Sequence, residues 1–339
     1  MSAEPMVSRQ LQAEECSRRG ADDARERLSD EAGRVELTPE LLQFERERLS
    51  LFARNGFEGE SRWVTDREGR RTYMIGRGED PYPTLLVHGG LSQASEWSLI
   101  AGRLPGHVII PDRPGCGLSY PIDYLGADYR KAAADWLLDL VDGIGADQVD
   151  LVGNSMGGFF SIVFALAHPE RVRRLVLAGA PAGLDRWIPL FLRLWGNPLT
   201  GFPIRRNRIT DAETLRKRVF GSLLVAHPER VPLDFLETMV AAMGLPGVDR
   251  SAYSLLRSCT TLRGFQSALM LRDDMARLRT PTLFIWGSTD AFAPPASGQG
   301  MVARMPNARI EVIPDTGHLP YVDRPDAVAD AIIGFLAQP

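Results

Sequence analysis

The stretch that most constrains this chain of 339 residues is 149–158, which reads Val-Asp-Leu-Val-Gly-Asn-Ser-Met-Gly-Gly. Its β-branched apolar run predicts a buried strand that ends at Gly153, and the apolar pattern over 159–167 predicts a helix that begins almost at once. Ser155 falls at the sharp turn between them, where a serine is strained and its hydroxyl is exposed beside the free N–H groups of a helix start. The flanking glycines remove the Cβ atoms that would collide where strand and helix cross. The stretch therefore predicts a reactive serine at one edge of a sheet.

Two later segments carry the groups that such a serine needs. One short buried strand pattern leads into a loop with Asp290, and the next strand pattern leads into a loop with His318. If these strands are parallel neighbours, both side chains reach the same edge of the sheet as Ser155. The order serine, aspartate, histidine along the chain fits a nucleophile, its orienting acid and its base on an α/β sheet. Asp185, which follows the sixth strand pattern, is the alternative acid.

The chemistry assigns each of these residues a role. A serine hydroxyl is a poor nucleophile until a base takes its proton, so we expect His318 to be that base for Ser155 and then the acid for the leaving group. Asp290 would fix the tautomer of the imidazole and stabilise its charged form. The tetrahedral oxyanion needs pre-aimed N–H donors, and the backbone N–H of Met156, at the start of the helix, would supply one.

Five short motifs mark the segments that carry these residues. They are Leu-Val-His-Gly-Gly at 86–90, Pro-Asp-Arg-Pro-Gly-Cys-Gly-Leu-Ser at 111–119, Gly-Asn-Ser-Met-Gly-Gly at 153–158, Trp-Gly-Ser-Thr-Asp at 286–290 and Gly-His-Leu-Pro at 317–320. In these motifs the chain resembles the α/β-hydrolase superfamily from about Ser61 to the C-terminus. The resemblance implies a helical cap inserted over the active site. It also implies that Gly90 gives the second oxyanion N–H, with Leu91 as the alternative, and that His88 supports that loop.

Eight strand patterns run along the chain, and helical patterns separate most of them. They fall at 61–65, 71–75, 84–87, 107–111, 149–153, 173–178, 282–286 and 309–313. The first two alternate around an Asp-Arg-Glu-Gly turn and predict an antiparallel hairpin. Strand and helix in alternation predict an α/β fold with a mainly parallel eight-stranded sheet flanked by helices.

The same patterns divide the chain into five parts. Residues 1–36 are rich in charge and poor in apolar side chains, which predicts a disordered or loosely helical extension. Residues 37–60 contain a helical pattern, with an N-cap at Thr38-Pro39 and an end near Asn55-Gly56, which predicts a helix that packs on the body. Residues 61–181 and 281–339 form the two parts of the hydrolase core. Residues 182–280 lack a strand pattern and are too many for a structureless loop, so we expect them to form the helical cap.

The cap begins with an unusually apolar run, so its inner face is expected to line an apolar pocket. The predicted pocket residues are Leu91, Trp187, Phe191, Trp195 and Leu319, with Phe235, Met239 and Met243 as further candidates. Apolar stripes on helices usually face a core, so each side chain could instead only pack the cap onto the body.

Composition excludes several classes of function. A net charge of −4 gives no electrostatic attraction to nucleic acid or to an anionic membrane. Three scattered cysteines predict neither a disulfide framework nor an oxidising compartment, and no His/Cys/carboxylate cluster has metal-ligand spacing. No apolar run approaches a bilayer span, and the first residues lack the apolar core of a signal peptide. We therefore expect a cytoplasmic protein without metal or cofactor, acting on a small molecule; oligomeric state is left open.

Serine at the turn favours acyl chemistry, since dehalogenases and epoxide hydrolases that resemble this chain place aspartate there. The sequence therefore predicts hydrolysis of an ester, thioester or lactone of a small, largely apolar acid, as in small-molecule esterases and perhydrolases of the superfamily. The Gly-Asn-Ser-Met-Gly-Gly segment is also similar to that of C–C bond hydrolases of diketone-type substrates. Those enzymes usually have a longer glycine run where this chain has Leu91-Ser92, and a tryptophan where it has Leu319. A non-hydrolytic ligand-binding protein is the third alternative.

Overall fold

The computed structural model describes residues 37–201 and 209–338. The extension predicted over residues 1–36 lies outside the described residues. Helix α1 (Pro39–Arg54) starts where the sequence predicts, because the Thr38 hydroxyl accepts a hydrogen bond from the N–H of Leu41 and proline occupies the first helical position. Its apolar face is buried on the body of the protein.

One sheet of eight strands forms the body, which confirms the predicted fold class. The strands are β1 (Glu60–Thr65), β2 (Arg71–Arg77), β3 (Thr84–Val87), β4 (Val108–Pro111), β5 (Val149–Gly153), β6 (Val172–Ala178), β9 (Thr282–Gly287) and β10 (Ala308–Ile313). Their spatial order is β1-β2-β4-β3-β5-β6-β9-β10, with β2 antiparallel to both of its neighbours and every other pairing parallel. The parallel strands therefore end at one common edge.

Helices cover both faces of this sheet. The body helices are α2 (Ser98–Ala101), α3 (Tyr129–Gly143), α4 (Ser155–Ala167), α9 (Pro295–Val302), α10 (Pro320–Asp323) and α11 (Pro325–Leu336). Successive side chains of a strand point to opposite faces, so Leu85 and Leu151 pack with α3 and α4 while Leu86 and Val152 pack with α1, α2 and α11. The two apolar layers are the core of the body.

The cap differs from its prediction in one respect. Its helices are α5 (Leu190–Gly196), α6 (Ala212–Leu215), a π-helical continuation (Arg216–Leu224), α7 (Leu233–Met243) and α8 (Val248–Cys259). The expectation of a cap without strands is wrong, because β7 (Thr260–Thr261) and β8 (Gly264–Phe265) form a small antiparallel hairpin. Two-residue strands are too short for an alternating pattern to show in the sequence.

A buried ion pair fixes α1 to the loop after β4. Arg48 Nη1 lies 2.7 Å from Asp112 Oδ2, and both side chains are fully buried. Asp112 also accepts the N–H groups of Ala94 and Leu118, so its charge is well partnered. Within residues 37–201 and 209–338, no helix is both long and apolar enough to cross a bilayer.

Candidate active site

The turn between β5 and α4 has the geometry that the sequence predicts for a reactive serine. Ser155 has φ +49°, a left-handed conformation that is rare for a residue with a Cβ. The crossing of strand and helix is very close, because a Cβ on Gly157 would lie 2.0 Å from the carbonyl oxygen of Val87. The half-buried Ser155 thus stands at the carboxyl edge of the sheet, at the first position of α4.

His318 and Asp290 meet at the same edge. His318 Nδ1 lies 3.0 and 2.9 Å from the two carboxylate oxygens of Asp290, and both residues are buried. This pairing assigns the N–H to Nδ1 and leaves Nε2 as the nitrogen that can act as an acceptor. Nε2 is buried and has no hydrogen-bond partner within the described parts of the chain. It is therefore free to accept a proton from a nucleophile.

Backbone donors keep the Asp290 carboxylate charged. The N–H of Ala180 donates to Oδ2 at 2.9 Å, and the N–H of Phe292 donates to Oδ1 at 2.8 Å. Burial alone raises the pKa of Asp290, but His318 and these two N–H groups outweigh burial and hold the pKa below its usual value. A charged Asp290 beside the imidazole is the arrangement that fixes a tautomer.

Two residues that sequence reasoning missed hold His318 in place. The Phe292 ring stacks on the imidazole with 4.1 Å between centroids. Asn154 Nδ2 donates to the carbonyl oxygens of Ala178 and His318, which ties the serine turn to the base loop. Asn154 directly precedes Ser155 and Phe292 follows Asp290 by two residues, so closeness along the chain to the predicted site residues was the available signal.

The loop Gly89–Leu91, predicted to supply the second oxyanion donor and called the oxyanion loop for that reason, passes beside the start of α4. A Cβ on Gly90 would lie 3.0 Å from Met156 Cγ, and Leu91 has φ +59°. None of the hydrogen bonds among residues 37–201 and 209–338 uses the N–H of Gly90, Leu91 or Met156. All three N–H groups are therefore available to an oxyanion.

Buried charged side chains support this loop from behind. His88 Nδ1 donates to the carbonyl of Gly89 at 2.9 Å, and His88 Nε2 accepts the N–H of Arg113 at 2.9 Å. Burial and the nearby Arg113 lower the pKa of His88 well below its usual value, so the ring is neutral and both bonds persist. Arg113 also donates to the carbonyl oxygens of His88 and Gly89.

Glu96 is a further support that the sequence did not reveal. Its carboxylate accepts the N–H of Gly89 at 2.9 Å and the hydroxyl of Tyr321 at 2.7 Å. Burial raises the pKa of Glu96, while these donors favour its charged form. In sequence it reads as an ordinary helix-start acid, because Tyr321 lies 225 residues away.

The alternative acid lies elsewhere. Asp185 Oδ2 accepts the hydroxyl of Ser297 at 3.1 Å, and its other oxygen accepts the N–H of Trp187. The carboxylate that pairs with the imidazole of His318 is that of Asp290.

The predicted pocket residues occupy three kinds of environment. Trp187 and Phe191 are 48% and 38% exposed, and Trp195 is half-buried on α5. Leu319 is buried beside the base. Phe235 and Met239 are buried, and Met243 partly buried, in the apolar layer that also contains α1. These last three pack the cap onto the body.

Leu91 lines a small cavity between the oxyanion loop and the cap. The cavity measures about 20 Å³, room for about one water molecule. Its walls are Leu91, Ser92, Pro114, Gly115, Cys116, Tyr124, Val248, Ser251, Ala252 and Leu255. The lining carries no charged side chain.

The two cysteines among the described residues are buried. Burial raises the pKa of Cys116 to about 11 and that of Cys259 to about 12, so both thiols are protonated near neutral pH. Among residues 37–201 and 209–338, no three His, Cys, Asp or Glu side chains are grouped to hold a metal ion.

The family follows from this architecture together with a sequence match. A model of the alpha/beta hydrolase family matches residues 84–331. The chain belongs to the alpha/beta hydrolase family. It is 29% identical to a 2-hydroxy-6-oxo-6-phenylhexa-2,4-dienoate hydrolase of Burkholderia cepacia, over 82% of this chain and 96% of the relative. It is also 29% identical to a 2-hydroxymuconate semialdehyde hydrolase of Pseudomonas putida, over 80% of this chain and 92% of the relative.

Solved structures of the same fold include enzymes of two activities. The carboxylesterase CesB of Bacillus subtilis matches with a TM-score of 0.69 and 21% identity, over 88% of this chain and 99% of that chain. The meta-cleavage product hydrolase CumD of Pseudomonas fluorescens IP01 matches with a TM-score of 0.65 and 23% identity, over 81% and 97%. All four of these proteins are named as hydrolases or esterases, which supports hydrolase activity for this member of the family.

Proposed function

We propose that this protein is a serine hydrolase that cleaves an ester, thioester or lactone of a small, largely apolar acid through an acyl-enzyme. The observation that carries the proposal is the buried pairing of His318 Nδ1 with Asp290, which leaves Nε2 without a hydrogen-bond partner among the described residues at the edge where Ser155 turns. A neutral imidazole in that state is a general base.

In the proposed mechanism, Ser155 Oγ attacks the substrate carbonyl carbon while His318 Nε2 takes its proton. The oxyanion forms hydrogen bonds with the N–H groups of Met156 and of Gly90 or Leu91. The proton on Nε2 then passes to the leaving oxygen or sulfur, and the acyl group stays on Ser155. A water molecule, deprotonated by the same nitrogen, releases the acid. Asp290 stabilises the charged imidazole in both halves of the reaction.

The cavity beside Leu91 is too small for an acyl chain, but its uncharged lining supports a site without a carboxylate-binding group. Its side chains are apolar or hydroxylic, whereas a dienoate or dienedioate carries carboxylate groups that require a cationic or strongly donating partner. The second candidate is C–C bond hydrolysis, which is favoured by the printed activities of the curated relatives. Both reactions would use the same serine, acid and base, so the substrate decides between them.

The decisive experiment is intact-protein mass spectrometry after incubation with an activated serine-directed phosphonate. We expect one adduct on the wild type and none on Ser155→Ala. The matched control is Ser161→Ala, since Ser161 lies in the same helix and its hydroxyl only bonds the carbonyl of Gly157. Turnover of a p-nitrophenyl ester panel should fall by about 10³-fold or more in Ser155→Ala and stay near wild type in the control.

A parallel assay with a 2-hydroxy-6-oxo-dienoate separates the two candidates. Ester turnover that exceeds dienoate turnover in kcat/KM supports the acyl-hydrolase proposal. The opposite order supports C–C hydrolysis. An unmodified wild type without turnover on either substrate contradicts both and points to ligand binding.

A further inference from the structure

Helix α10 begins two residues after His318 and ends at Asp323, a buried carboxylate that is neither the acid Asp290 nor part of the oxyanion loop. Asp323 is only 8% exposed. Its Oδ2 accepts the N–H of Gly317, the residue before the base, at 2.8 Å. The same carboxylate accepts the N–H of Ala226 at 2.9 and 3.1 Å and the N–H of His227 at 3.0 Å. One side chain therefore bonds two segments that lie about 90 residues apart in sequence.

The two segments are also in direct backbone contact. The N–H of Leu319 donates to the carbonyl of Leu224 at 2.8 Å. A Cβ on Gly317 would lie 2.8 Å from that same carbonyl oxygen and 2.9 Å from Val225 Cα. Leu224–His227, where the chain leaves the π-helical turn of the cap, is thus docked against the loop that carries His318. We call these four residues the cap exit segment.

The opposite side of α10 reaches the oxyanion loop. The hydroxyl of Tyr321 donates to Glu96, which in turn accepts the N–H of Gly89. The Tyr321 ring stacks on Trp97 with 4.3 Å between centroids, so α10 has little freedom to shift. The base loop, the oxyanion loop and the cap therefore meet on one four-residue helix.

We propose that Asp323 is a positioning residue that couples the cap to the base, so that His318 keeps its Asp290-bonded position only while the cap exit segment is docked. The inference deepens the proposed function and rests on His318 being its base. If the cap exit segment leaves, the carboxylate loses two of its three N–H donors, and Gly317 loses the packing of Leu224 and Val225. The loop on either side of His318 is then held by fewer bonds. Closure of the cap would thus complete the catalytic geometry.

The substitution Asp323→Asn tests this coupling with almost no change in side-chain volume. An amide has a single acceptor oxygen. At the position of Oδ2 it can still accept from Gly317 and Ala226 but leaves the N–H of His227 facing the NH₂ group, and at the position of Oδ1 it can accept from Ala226 and His227 but leaves Gly317 without its acceptor. We expect kcat for p-nitrophenyl esters, per active site titrated with the phosphonate, to fall by about tenfold or more, while KM stays within about twofold.

The control is Asp326→Asn, three residues further on, whose side chain is 80% exposed and pairs with Arg103. It should leave kcat per titrated site unchanged. A residue with a merely structural role would lower the fraction of titratable protein and the melting temperature, with kcat per titrated site equal to wild type. That result for Asp323→Asn would overturn the proposal.

Hydrogen exchange on the wild type tests the same coupling without turnover and without a variant that must fold. In mild denaturant, followed by mass spectrometry, peptides covering 224–227 and 316–319 should lose protection in one opening with the same free energy. Separate openings would contradict the coupling even in an active enzyme. A shared opening in a protein that neither reacts with phosphonate nor cleaves esters would keep the coupling and reject the proposed function.

Discussion

The carboxyl edge of the sheet and the cap differ in how tightly they are packed. At the edge, backbone lies against backbone: a Cβ on Gly287 would come 1.9 Å from the carbonyl oxygen of Gly317, and one on Gly179 would come 2.2 Å from that of His318. The cap keeps large apolar side chains partly in solvent, including Trp187 and Phe191. Tight backbone packing fixes the reacting groups, whereas a loosely covered cap surface can change without moving them.

Besides the apolar packing of Phe235 and Met239 in the layer that contains α1, two sets of hydrogen bonds to backbone groups join the cap to the body near the carboxyl edge. Ser251 and Ser254 on α8 accept the N–H groups of Ile122 and Tyr124, each at 3.1 Å. The cap exit segment forms the second set, against the base loop. Because these hydrogen bonds join defined side-chain and backbone groups, the cap has a defined orientation on the body, although several of its large apolar side chains remain exposed.

The largest effect expected at the edge is that of Asp290→Asn. The amide cannot fix the same tautomer or stabilise the charged imidazole, so kcat for ester hydrolysis should fall by about 10⁴-fold. Steady-state kinetics, with circular dichroism to show that the fold is retained, measure this effect. Asp185→Asn is the control and should stay within about twofold. A comparable collapse in Asp185→Asn would transfer the role of the acid to that residue.

Substituting one glycine in each region tests how the packing of the edge and of the cap contributes to the free energy of unfolding. Gly157→Ala would set a Cβ 2.0 Å from the Val87 oxygen, and we expect a loss of about 3 kcal/mol or more in the free energy of unfolding. Gly244, at the end of α7, has φ −85° and no atom closer than 3.4 Å to an added Cβ. Gly244→Ala should therefore be neutral or stabilise by up to about 1 kcal/mol. Urea unfolding measures both; equal losses would mean that the cap is packed as tightly as the edge.

The smallest effect is expected for a cap side chain that only contacts substrate. If Phe191 lines the pocket, Phe191→Ala should raise KM for the more apolar esters by about three- to tenfold, with kcat within about twofold, because it removes binding shared by substrate and transition state. Leu199→Ala is the control, since Leu199 is 87% exposed. A KM that stays the same across the whole ester panel would identify Phe191 as a surface residue.

The sheet and the meeting of His318 with Asp290 were predictable because they rest on local signals. A strand of five or six apolar residues, a glycine-flanked turn and a polar residue just past a strand end can all be read from neighbouring positions. Parallel strands then bring their ends to one edge whatever the rest of the chain does. The cap hairpin was missed because a strand of two residues is too short to show an alternating pattern of apolar and polar residues.

The sequence by itself determined the fold class, the succession of strands and helices along the chain and the residue types at the edge. Only the tertiary structure decided which polar groups support them: Arg48 with Asp112, Glu96 with Tyr321, and Asp323 with the cap exit segment. Each of these charged groups looks like a surface residue in sequence. Each is buried because its partners arrive from 64 to 225 positions away and supply the hydrogen bonds that burial of a charge requires.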